Sequence, residues 1–180
     1  MSSPDPESVP VLVLKAQAGD AEAFAELVRR YEGAVFRLAL RITGTREDAQ
    51  DAAQETFLRA YRGLSRFDPQ RPFGPWLLKI AANRALSKAG RRRNTAPLDE
   101  AMQMREETGR EDAARDELES VRCAMTDLAP ADRAILALRY EEGMKVAEIA
   151  RTLDIQQGAV KVRLLRARER LMRVMKTEGR

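Results

Sequence analysis

The chain has no histidine, one cysteine and few aromatic residues, and each shortage removes a class of function. Without histidine and with Cys123 alone, almost no ligands remain for a transition metal, and the commonest general base is missing. A lone cysteine excludes an internal disulfide and predicts a reducing, cytoplasmic setting. The sequence has no run of eighteen apolar residues, and its first residues, with Asp5 and Glu7, are unlike a signal peptide. We therefore expect no metal, no cofactor, no catalytic activity and no membrane insertion.

The net charge of +4 is distributed unevenly along the chain. Residues 11–93 carry sixteen basic and nine acidic side chains, and residues 119–180 carry thirteen and nine. Between them, residues 99–118 carry three basic and eight acidic side chains. Two basic blocks separated by an acidic one predict two anion-binding modules joined by a solvated tether.

Helical periodicity runs through the first half of the chain, and strand-like alternation is absent. Asp20 is suited to cap a helix that Gly44 can end, and Thr45 can open the next helix with Asp48 close to the capping-box position. This second helix should end near Gly63. The residues expected to face inward are Phe24, Leu27, Val28, Tyr31, Val35, Leu38, Ala39 and Ile42 on the first helix, and Ala49, Ala52, Ala53, Phe57 and Tyr61 on the second.

Proline, glycine and charge divide the rest of the chain. Two prolines and a glycine between residues 65 and 74 exclude a regular helix there, and Pro75 suits the start of a third helix that reaches about Arg93. The apolar stripe then disappears until Leu118, so the acidic stretch is predicted to be a flexible linker. Pro130 should start a further helix. We expect an all-α protein with two small helical domains, residues 8–93 and 116–176, joined by the flexible linker 94–115.

A helix-turn-helix is indicated at the C-terminal end. Five apolar residues describe a short amphipathic helix and a tight turn: Val146, Ile149, Ala150, Leu153 and Ile155. From Gln156 to Lys176 the chain then carries seven basic residues and one acid, with its apolar residues at helical spacing. A basic helix after such a turn is typical of the helix that enters the major groove of DNA.

A second basic block lies in the first domain, beside three aromatic residues. It comprises Lys79, Arg84, Lys88, Arg91, Arg92 and Arg93, with no acid between residues 69 and 98, and its neighbours are Phe67, Phe73, Trp76 and Asn83. Positive charge beside rings suits single-stranded or opened nucleic acid, because cations hold the phosphates and rings receive the bases. Core packing of the rings and an ordinary solvated helix end for residues 91–93 are the alternatives.

Several separated segments resemble the extracytoplasmic-function (ECF) sigma factors of bacterial RNA polymerase. Residues 47–61 are similar to the family's core-polymerase-binding helix. The sequence Arg66-Phe67-Asp68, Phe73 and residues 76–83 are similar to its loop and helix for the −10 promoter element. Residues 128–130 and 140–168 are similar to its −35-binding domain. The segments stand in the family's order and span nearly the whole chain apart from the linker and the ends.

The resemblance implies a non-enzymatic initiation factor. Such a factor binds the clamp and flap regions of core RNA polymerase, directs it to promoter DNA through the −10 and −35 elements, and helps open the duplex. An anti-sigma protein is the expected regulator, holding the two domains together. We therefore expect the protein to bind promoter DNA both when the DNA is a duplex and when it is opened.

The resemblance also assigns site residues. Those for core polymerase are Asp48, Asp51, Gln54, Glu55 and Arg59. Those for the −10 element are Phe67, Phe73, Trp76, Lys79, Asn83, Arg84, Lys88 and Arg91, with the Asn83 amide reading a flipped base. Those for the −35 element are Gln156, Gln157, Lys161, Arg163, Arg166 and Arg168, with Lys161 and Arg163 nearest the base edges.

Three positions depart from the family pattern. Asp154 stands where the tight turn commonly has glycine, and aspartate tolerates the left-handed conformation better than most residues. Val162 replaces a small polar residue, which predicts an altered −35 preference. Gly74-Pro75 replaces a basic-plus-hydroxyl pair before Trp76, which predicts a loop that accepts a different base or shape.

Two other classes of protein remain open at this stage. One is a stand-alone repressor or activator with the same helix-turn-helix, which would need an effector pocket or a dimerisation face in residues 8–93. The other is a polymerase-binding module whose basic helix only keeps it soluble. By itself, the acidic face of residues 47–61 is also compatible with a solvated surface.

Overall fold

The computed structural model describes residues 8–95, 125 and 128–178, and within these ranges the protein is all α, as predicted. The elements are α1 (Val9–Gln17), α2 (Ala21–Thr43), α3 (Arg46–Gly63), a 3-10 turn (Leu64–Arg66), α4 (Phe73–Thr95), α5 (Pro130–Tyr140), α6 (Val146–Leu153) and α7 (Gln157–Glu178). None of the helices in these ranges is long and apolar enough to cross a membrane. Most of the predicted linker 94–115, together with Cys123, lies outside the described residues.

The helix ends follow the capping chemistry read from the sequence. The Asp20 carboxylate accepts hydrogen bonds from the backbone N–H groups of Glu22 at 2.9 Å and Ala23 at 3.0 Å. Gly44 ends α2 with a φ of 86°, a conformation that costs glycine little. The hydroxyl of Thr45 accepts from the backbone N–H of Asp48 at 3.4 Å and so begins α3. These predicted boundaries are confirmed.

Three features differ from the sequence interpretation. Helix α1 was not predicted, although Leu12, Val13 and Ala16 form its buried face. Helix α4 begins at Phe73 and not at Pro75, because a proline within the first turn forfeits no intrahelical hydrogen bond. Tyr61 was expected to face inward and is 58% exposed.

The orientation of Tyr61 has a geometric cause. The buried line along α3 is Ala49, Ala52, Thr56 and Ala60. Tyr61 lies beside this line and only rests its ring edge-on against Phe24, with the ring centroids 5.0 Å apart. Small residues on the inward line allow α3 to pack closely against α2 and α4.

The described parts of the two expected domains share one continuous hydrophobic core. Helix α2 packs against α1, α3 and α4, and it also contacts α5; helix α4 contacts α6. Fully buried Ile42 and Leu77 of the first domain and Ile135, Leu138 and Ile149 of the second belong to the same cluster. We call this packing of α5 and α6 on α2 and α4 the closed arrangement.

Polar contacts reinforce the closed arrangement where α5 meets the end of α2. The Arg133 guanidinium donates a 2.6 Å hydrogen bond to the backbone carbonyl of Ile42. Arg41 Nε lies 2.7 Å from Glu141 Oε1. A cation at the C-terminal end of α2 meets the helix dipole favourably, so Arg133 stabilises the contact through charge as well as hydrogen bonding.

Glu142 is the unfavourable member of this interface. Its Oε1 is buried without a hydrogen-bond partner, and its nearest cation is Arg37 at 3.8 Å. Burial raises the pKa of Glu142 above its ordinary value, the charge of Arg37 opposes this increase, and nearby Glu141 adds to it. The closed arrangement therefore carries a carboxylate whose charged form is destabilised.

Candidate nucleic-acid interface

The loop before α4 is held from inside by aromatic packing. Phe67 and Phe73 are 6% and 4% exposed, and Trp76 packs on both, with ring centroids 4.6 Å from Phe67 and 5.4 Å from Phe73. The Gln17 amide anchors the same loop by donating to the carbonyls of Leu64 at 2.8 Å and Phe67 at 2.7 Å. The loop is thus fixed at both its start and its end.

This packing changes the interpretation of the three rings. Phe67 and Phe73 offer no open ring face for a stacked base in this structure, and the half-buried Trp76 lies against them. They shape the loop, which favours the core-packing alternative for Phe67 and Phe73, while contact of these rings with the −10 strand stays a prediction. Core packing of the rings was the alternative that the sequence left open. Asn83 and the cations of α4 carry the remaining −10 prediction.

The polar face of α4 presents one amide within a row of cations. Asn83 and Arg91 are exposed, and Arg84 and Lys88 are partly covered. Lys79 donates a 3.2 Å hydrogen bond to the carbonyl of Arg151, in the last turn of α6. One cation of the predicted −10 surface is therefore in contact with the helix-turn-helix.

The cations of α4 form ion pairs with the acids of α3. Lys88 Nζ lies 2.7 Å from Asp51 Oδ2 and 3.5 Å from Asp48 Oδ1. Arg84 lies 3.7 Å from Glu55. At the other end, Arg92 lies 3.0 Å from Asp48 Oδ2 and also donates to the Thr45 hydroxyl at 3.2 Å. We call the six residues the α3–α4 ladder: Asp48, Asp51, Glu55, Arg84, Lys88 and Arg92.

The ladder perturbs the protonation of its inner members. Burial alone would raise the pKa of Asp48, but hydrogen bonds from Arg92 and Thr45, together with the charges of Lys88 and Arg92, hold this pKa below its ordinary value. The hydrogen bond to Asp51 raises the pKa of Lys88. Asp48 and Lys88 are therefore charged at neutral pH, and the ladder persists there.

The ladder joins two groups of residues that the sequence interpretation kept apart. Asp48, Asp51 and Glu55 belong to the predicted polymerase surface, and Arg84 and Lys88 to the predicted −10 surface. Helix periodicity places the acids on one face of α3 and the cations on one face of α4. The periodicity of each helix does not indicate that these two faces contact each other.

The outer face of α3 also carries apolar residues that the sequence interpretation missed. Leu58 is 50% exposed beside Gln54, Glu55 and Arg59, which are exposed and belong to the predicted polymerase surface. An amphipathicity reading assigns large apolar residues to the core, so Leu58 gave no separate signal. A single exposed leucine is ordinary on a protein surface, so Leu58 alone does not identify a binding site.

The helix-turn-helix forms as the sequence predicts. Asp154 ends α6 with φ 55° and ψ 48°, which confirms that aspartate supplies the left-handed turn residue. Helix α7 begins at Gln157, and Val160 is fully buried against the rest of the motif. The turn therefore survives without the glycine that is common in the family.

All six predicted −35 residues are exposed: Gln156, Gln157, Lys161, Arg163, Arg166 and Arg168. Arg163 lies 3.8 Å from Asp132 of α5, and its side chain is 43% exposed. Val162 is also exposed, so the departure from a small polar residue falls on the outer surface of α7. An apolar side chain there can meet a thymine methyl group but cannot hydrogen-bond to a base edge.

The described part of the chain offers little to catalysis. It contains no group of three or more histidine, cysteine, aspartate or glutamate residues that could hold a metal ion. A half-open cavity of about 240 Å³ lies beside the loop before α4 and is lined mainly by Val9, Val13, Tyr31, Phe73 and neighbouring prolines. Aliphatic and aromatic groups of this kind do not form a nucleophile–base pair.

Sequence comparisons match two separate regions of the chain to known families. Residues 27–95 match the Sigma-70 region 2 family, and residues 118–171 match the Sigma-70, region 4 family. The chain is similar to the ECF RNA polymerase sigma factor BldN of Streptomyces coelicolor, with 35% identity over 175 residues, covering 94% of this chain and 66% of BldN. It is also similar to the ECF RNA polymerase sigma factor SigM of Mycobacterium tuberculosis, with 34% identity over 160 residues, covering 88% of this chain and 80% of SigM.

Structural comparison extends the likeness to the arrangement of the helices. The structure of CnrH in complex with the cytosolic domain of CnrY matches with a TM-score of 0.72 at 28% identity, over 95% of this chain and 99% of the solved chain. The similarity thus includes both the α4 region and the helix-turn-helix. From the relatives matched across most of their length and from the two region families, this chain belongs to the ECF RNA polymerase sigma factors.

Proposed function

We propose that this chain binds core RNA polymerase and directs it to promoters through two DNA-reading helices. The observation that carries the proposal is that one chain exposes two basic surfaces of different kinds. Helix α4 presents Asn83 within a row of cations, and α7 presents its basic N-terminal half after a helix-turn-helix. A repressor needs only the second surface, whereas promoter opening also needs a surface for unpaired bases.

Each of the two domains recognises a different promoter element. Residues 8–93 bind polymerase through the outer face of α3 and the −10 element through α4. Residues 116–176 bind the −35 element through α7. In α4 the Asn83 amide both donates and accepts at a base edge, while Lys79, Arg84 and Lys88 hold phosphates. In α7, Lys161 and Arg163 face base edges, and Arg166 and Arg168 supply affinity through phosphates.

The closed arrangement must open for both elements to be bound at once. Elements at −10 and −35 are separated by about 25 base pairs, or roughly 85 Å at 3.4 Å per base pair. A compact chain of this length has a radius of gyration of about 16 Å and so a diameter near 40 Å. The closed body is too short to reach both elements. We assign it to the resting state and an open form to the promoter complex.

Stabilising the closed body would be an efficient form of control. CnrH, which this chain resembles along its whole length, was solved in complex with the cytosolic domain of CnrY. An anti-sigma protein that binds the closed arrangement of this chain in the cytoplasm would withhold it from polymerase. The contacts of α5 and α6 with α2 and α4 support this role, because the partner need only favour packing that already exists.

Competition for core polymerase tests the proposal. A fluorescently labelled wild-type protein is titrated with core RNA polymerase, and the primary sigma factor is then added. Saturable binding that the primary sigma factor displaces is expected, and Gln54→Ala with Arg59→Ala should weaken it. Glu22→Gln on α2, away from this face, is the control. Absence of core binding, together with sequence-specific DNA binding by the protein alone, would instead indicate a conventional repressor or activator.

A further inference from the structure

The side chain of Gln17, the last residue of α1, anchors the loop before α4, which comprises residues 67–72. Its amide nitrogen donates two hydrogen bonds, to the carbonyl of Leu64 at 2.8 Å and to the carbonyl of Phe67 at 2.7 Å. These bonds span 47 and 50 positions of the sequence. We call them the Gln17 anchor. They connect a helix that the sequence interpretation missed to a loop that it assigned to the −10 element.

A glutamine suits this position because of the groups that it meets. Helix α3 ends at Gly63, and the Phe67 N–H bonds to the Leu64 carbonyl at 3.0 Å to close the 3-10 turn. Carbonyl groups at the end of a helix have no intrahelical donor, and an unsatisfied carbonyl is costly where the surroundings are partly buried. A primary amide supplies two N–H donors without burying a charge. The anchor therefore fixes the direction in which the chain leaves the turn.

The tip of the loop is held less closely than its start. Two hydrogen bonds of 3.0 Å lie within the loop, from the Gln70 N–H to the Asp68 carboxylate and from the Arg71 N–H to the Asp68 carbonyl. These three residues are exposed. The half-open cavity of about 240 Å³ borders the tip at Pro69 and the start of α1 at Val9. The tip therefore has room to adjust to a ligand, whereas the start of the loop is fixed.

The anchored residue Phe67 also contacts α4. Its ring packs on Trp76, with the ring centroids 4.6 Å apart. Trp76 precedes the exposed Asn83 by seven residues, which is close to two full turns, so both residues lie on one side of α4. Gln17 thus sets the position of the loop relative to the amide that is proposed to read a −10 base.

Resting on the proposed function, we infer that Gln17 is a positioning residue for the −10 element. It holds the start of the loop at the distance from Asn83 that the unpaired strand requires, and it acts through Phe67 without contacting DNA itself. Without the anchor the helices stay packed, but the loop leaves the 3-10 turn in a range of directions. The loop must then be ordered when the strand binds, which costs conformational entropy and slows promoter opening.

The first test uses Trp76, the one tryptophan of the sequence, as an internal probe of the loop in the purified full-length chain. Gln17→Met keeps the length of the side chain and removes both donors. Loss of two hydrogen bonds of ordinary strength should shift the equilibrium from the held to the released loop by about five- to thirtyfold. The Trp76 emission should move to longer wavelength, and acrylamide should quench it more strongly than in wild type.

Leu12→Val is the matched control, because Leu12 lies on the buried face of α1 and does not belong to the anchor. This variant weakens the packing of the same helix and should retain the wild-type fluorescence of Trp76. Melting temperatures confirm that both variants are folded at the temperature of the measurement. Wild-type fluorescence in Gln17→Met, or an equal change in Leu12→Val, would overturn the inference.

A pH profile separates the donor role of the side chain from its shape. In Gln17→Glu an ionised carboxylate faces two carbonyl oxygens and cannot donate, whereas the protonated form has one O–H donor. The fluorescence of this variant should therefore return part of the way to wild type as the pH falls from 7.5 to 4.5, while that of Gln17→Met should not. Asp20 and Asp68, the acids next to the anchor along the chain, are present in every variant, so their titration cancels. Parallel profiles for the two variants would contradict the donor role.

Promoter opening tests the function itself. Holoenzymes of core RNA polymerase with wild type, Gln17→Met or Leu12→Val are mixed with a promoter that the wild type transcribes and that carries 2-aminopurine in the −10 element. Gln17→Met should open this promoter about five- to thirtyfold more slowly, with unchanged affinity for core polymerase. Opening at the wild-type rate by Gln17→Met, or equal slowing by Leu12→Val, would count against the positioning role. Failure of the proposed function differs, because the wild-type protein would then not bind core polymerase at all.

Discussion

The Arg133 guanidinium donates a 2.6 Å hydrogen bond to the carbonyl of Ile42, across 91 positions of the sequence. This contact joins α5 of the helix-turn-helix domain to the last turn of α2. The carbonyl groups at a helix end have no intrahelical donor, so a cation from another domain satisfies one of them. This hydrogen bond therefore helps to hold the two domains against each other.

Arg133→Met should loosen the closed arrangement. Loss of a charge-assisted hydrogen bond to a helix end costs about 2 kcal/mol or less, which shifts the equilibrium towards an open form by up to about thirtyfold. Small-angle X-ray scattering should give a radius of gyration above the wild-type value, itself near the roughly 16 Å of a compact chain. Arg139→Met is the control, because Arg139 bonds to Met144 within the same domain. Equal radii for the two variants would exclude a latch at Arg133.

Asn83→Ala should impair −10 recognition without affecting folding. Asn83 is exposed on α4, and exposed substitutions of this kind change stability by less than about 0.5 kcal/mol. Loss of a paired amide at a base edge should cost roughly 1–3 kcal/mol of discrimination. Affinity of the polymerase complex for single-stranded −10 DNA is the measurement, with Gln50→Ala on α3 as the matched amide control. A variant that still discriminates between −10 sequences would remove Asn83 from the reading surface.

Two arginines on α7 should behave differently. Arg163→Ala should relax sequence preference within the −35 element, because this residue is assigned to base edges. Arg166→Ala should weaken binding to all sequences alike and reduce the salt slope by about 0.9, as expected for one phosphate contact on duplex DNA. Binding of both variants to a library of −35 sequences at several salt concentrations distinguishes the roles. If Arg163→Ala lowers all affinities uniformly, its assignment is wrong.

Stability of the closed arrangement should depend on the protonation of Glu142. Its pKa in the folded protein is raised above the ordinary 4.5, chiefly by burial. Stability from this group is therefore fully present below pH 4.5 and is lost as pH rises through the folded-state pKa. At pH 7.5 the free energy of unfolding of Glu142→Gln should equal that of wild type or exceed it by less than about 1 kcal/mol, because the charge of Arg37 opposes the effect of burial. The difference should disappear at pH 4.

Urea unfolding at pH 4, 6 and 7.5 measures this effect. Glu141→Gln serves as the comparison, because it removes the 2.7 Å pair with Arg41 and should destabilise the protein by up to about 1 kcal/mol at pH 7.5. A Glu142→Gln variant that is clearly less stable than wild type at neutral pH would contradict the assigned sign.

Local chemistry explains which parts of the fold could be predicted. The caps at Asp20 and Thr45 and the turns at Gly44 and Asp154 depend on neighbours within a few residues, and each was predicted from them. The outward position of Tyr61 depends on how α3 rotates against α2. Periodicity alone did not determine that angle, because Phe57 and Tyr61 extend an otherwise small-residue stripe.

In the candidate site, too, the features that could be predicted depend on local sequence, and the others depend on how distant segments pack. Exposure of the α7 basic face follows from its own sequence, whereas the burial of Phe67 and Phe73 depends on the loop folding back onto Trp76. The pairing of Asp51 with Lys88 and of Arg133 with Ile42 joins residues 37 and 91 positions apart. Contacts this distant depend on which helix faces meet, and a single sequence does not specify that directly.

Run-off transcription tests the central claim most directly. Core RNA polymerase is combined with the purified protein and fragmented DNA from the source genome, and transcripts are mapped with and without the protein. Defined start sites that require the protein, and that disappear when Asn83→Ala and Arg163→Ala are combined, are the predicted result. Folded protein that binds specific DNA by itself yet yields no protein-dependent transcripts would contradict a promoter-directing role.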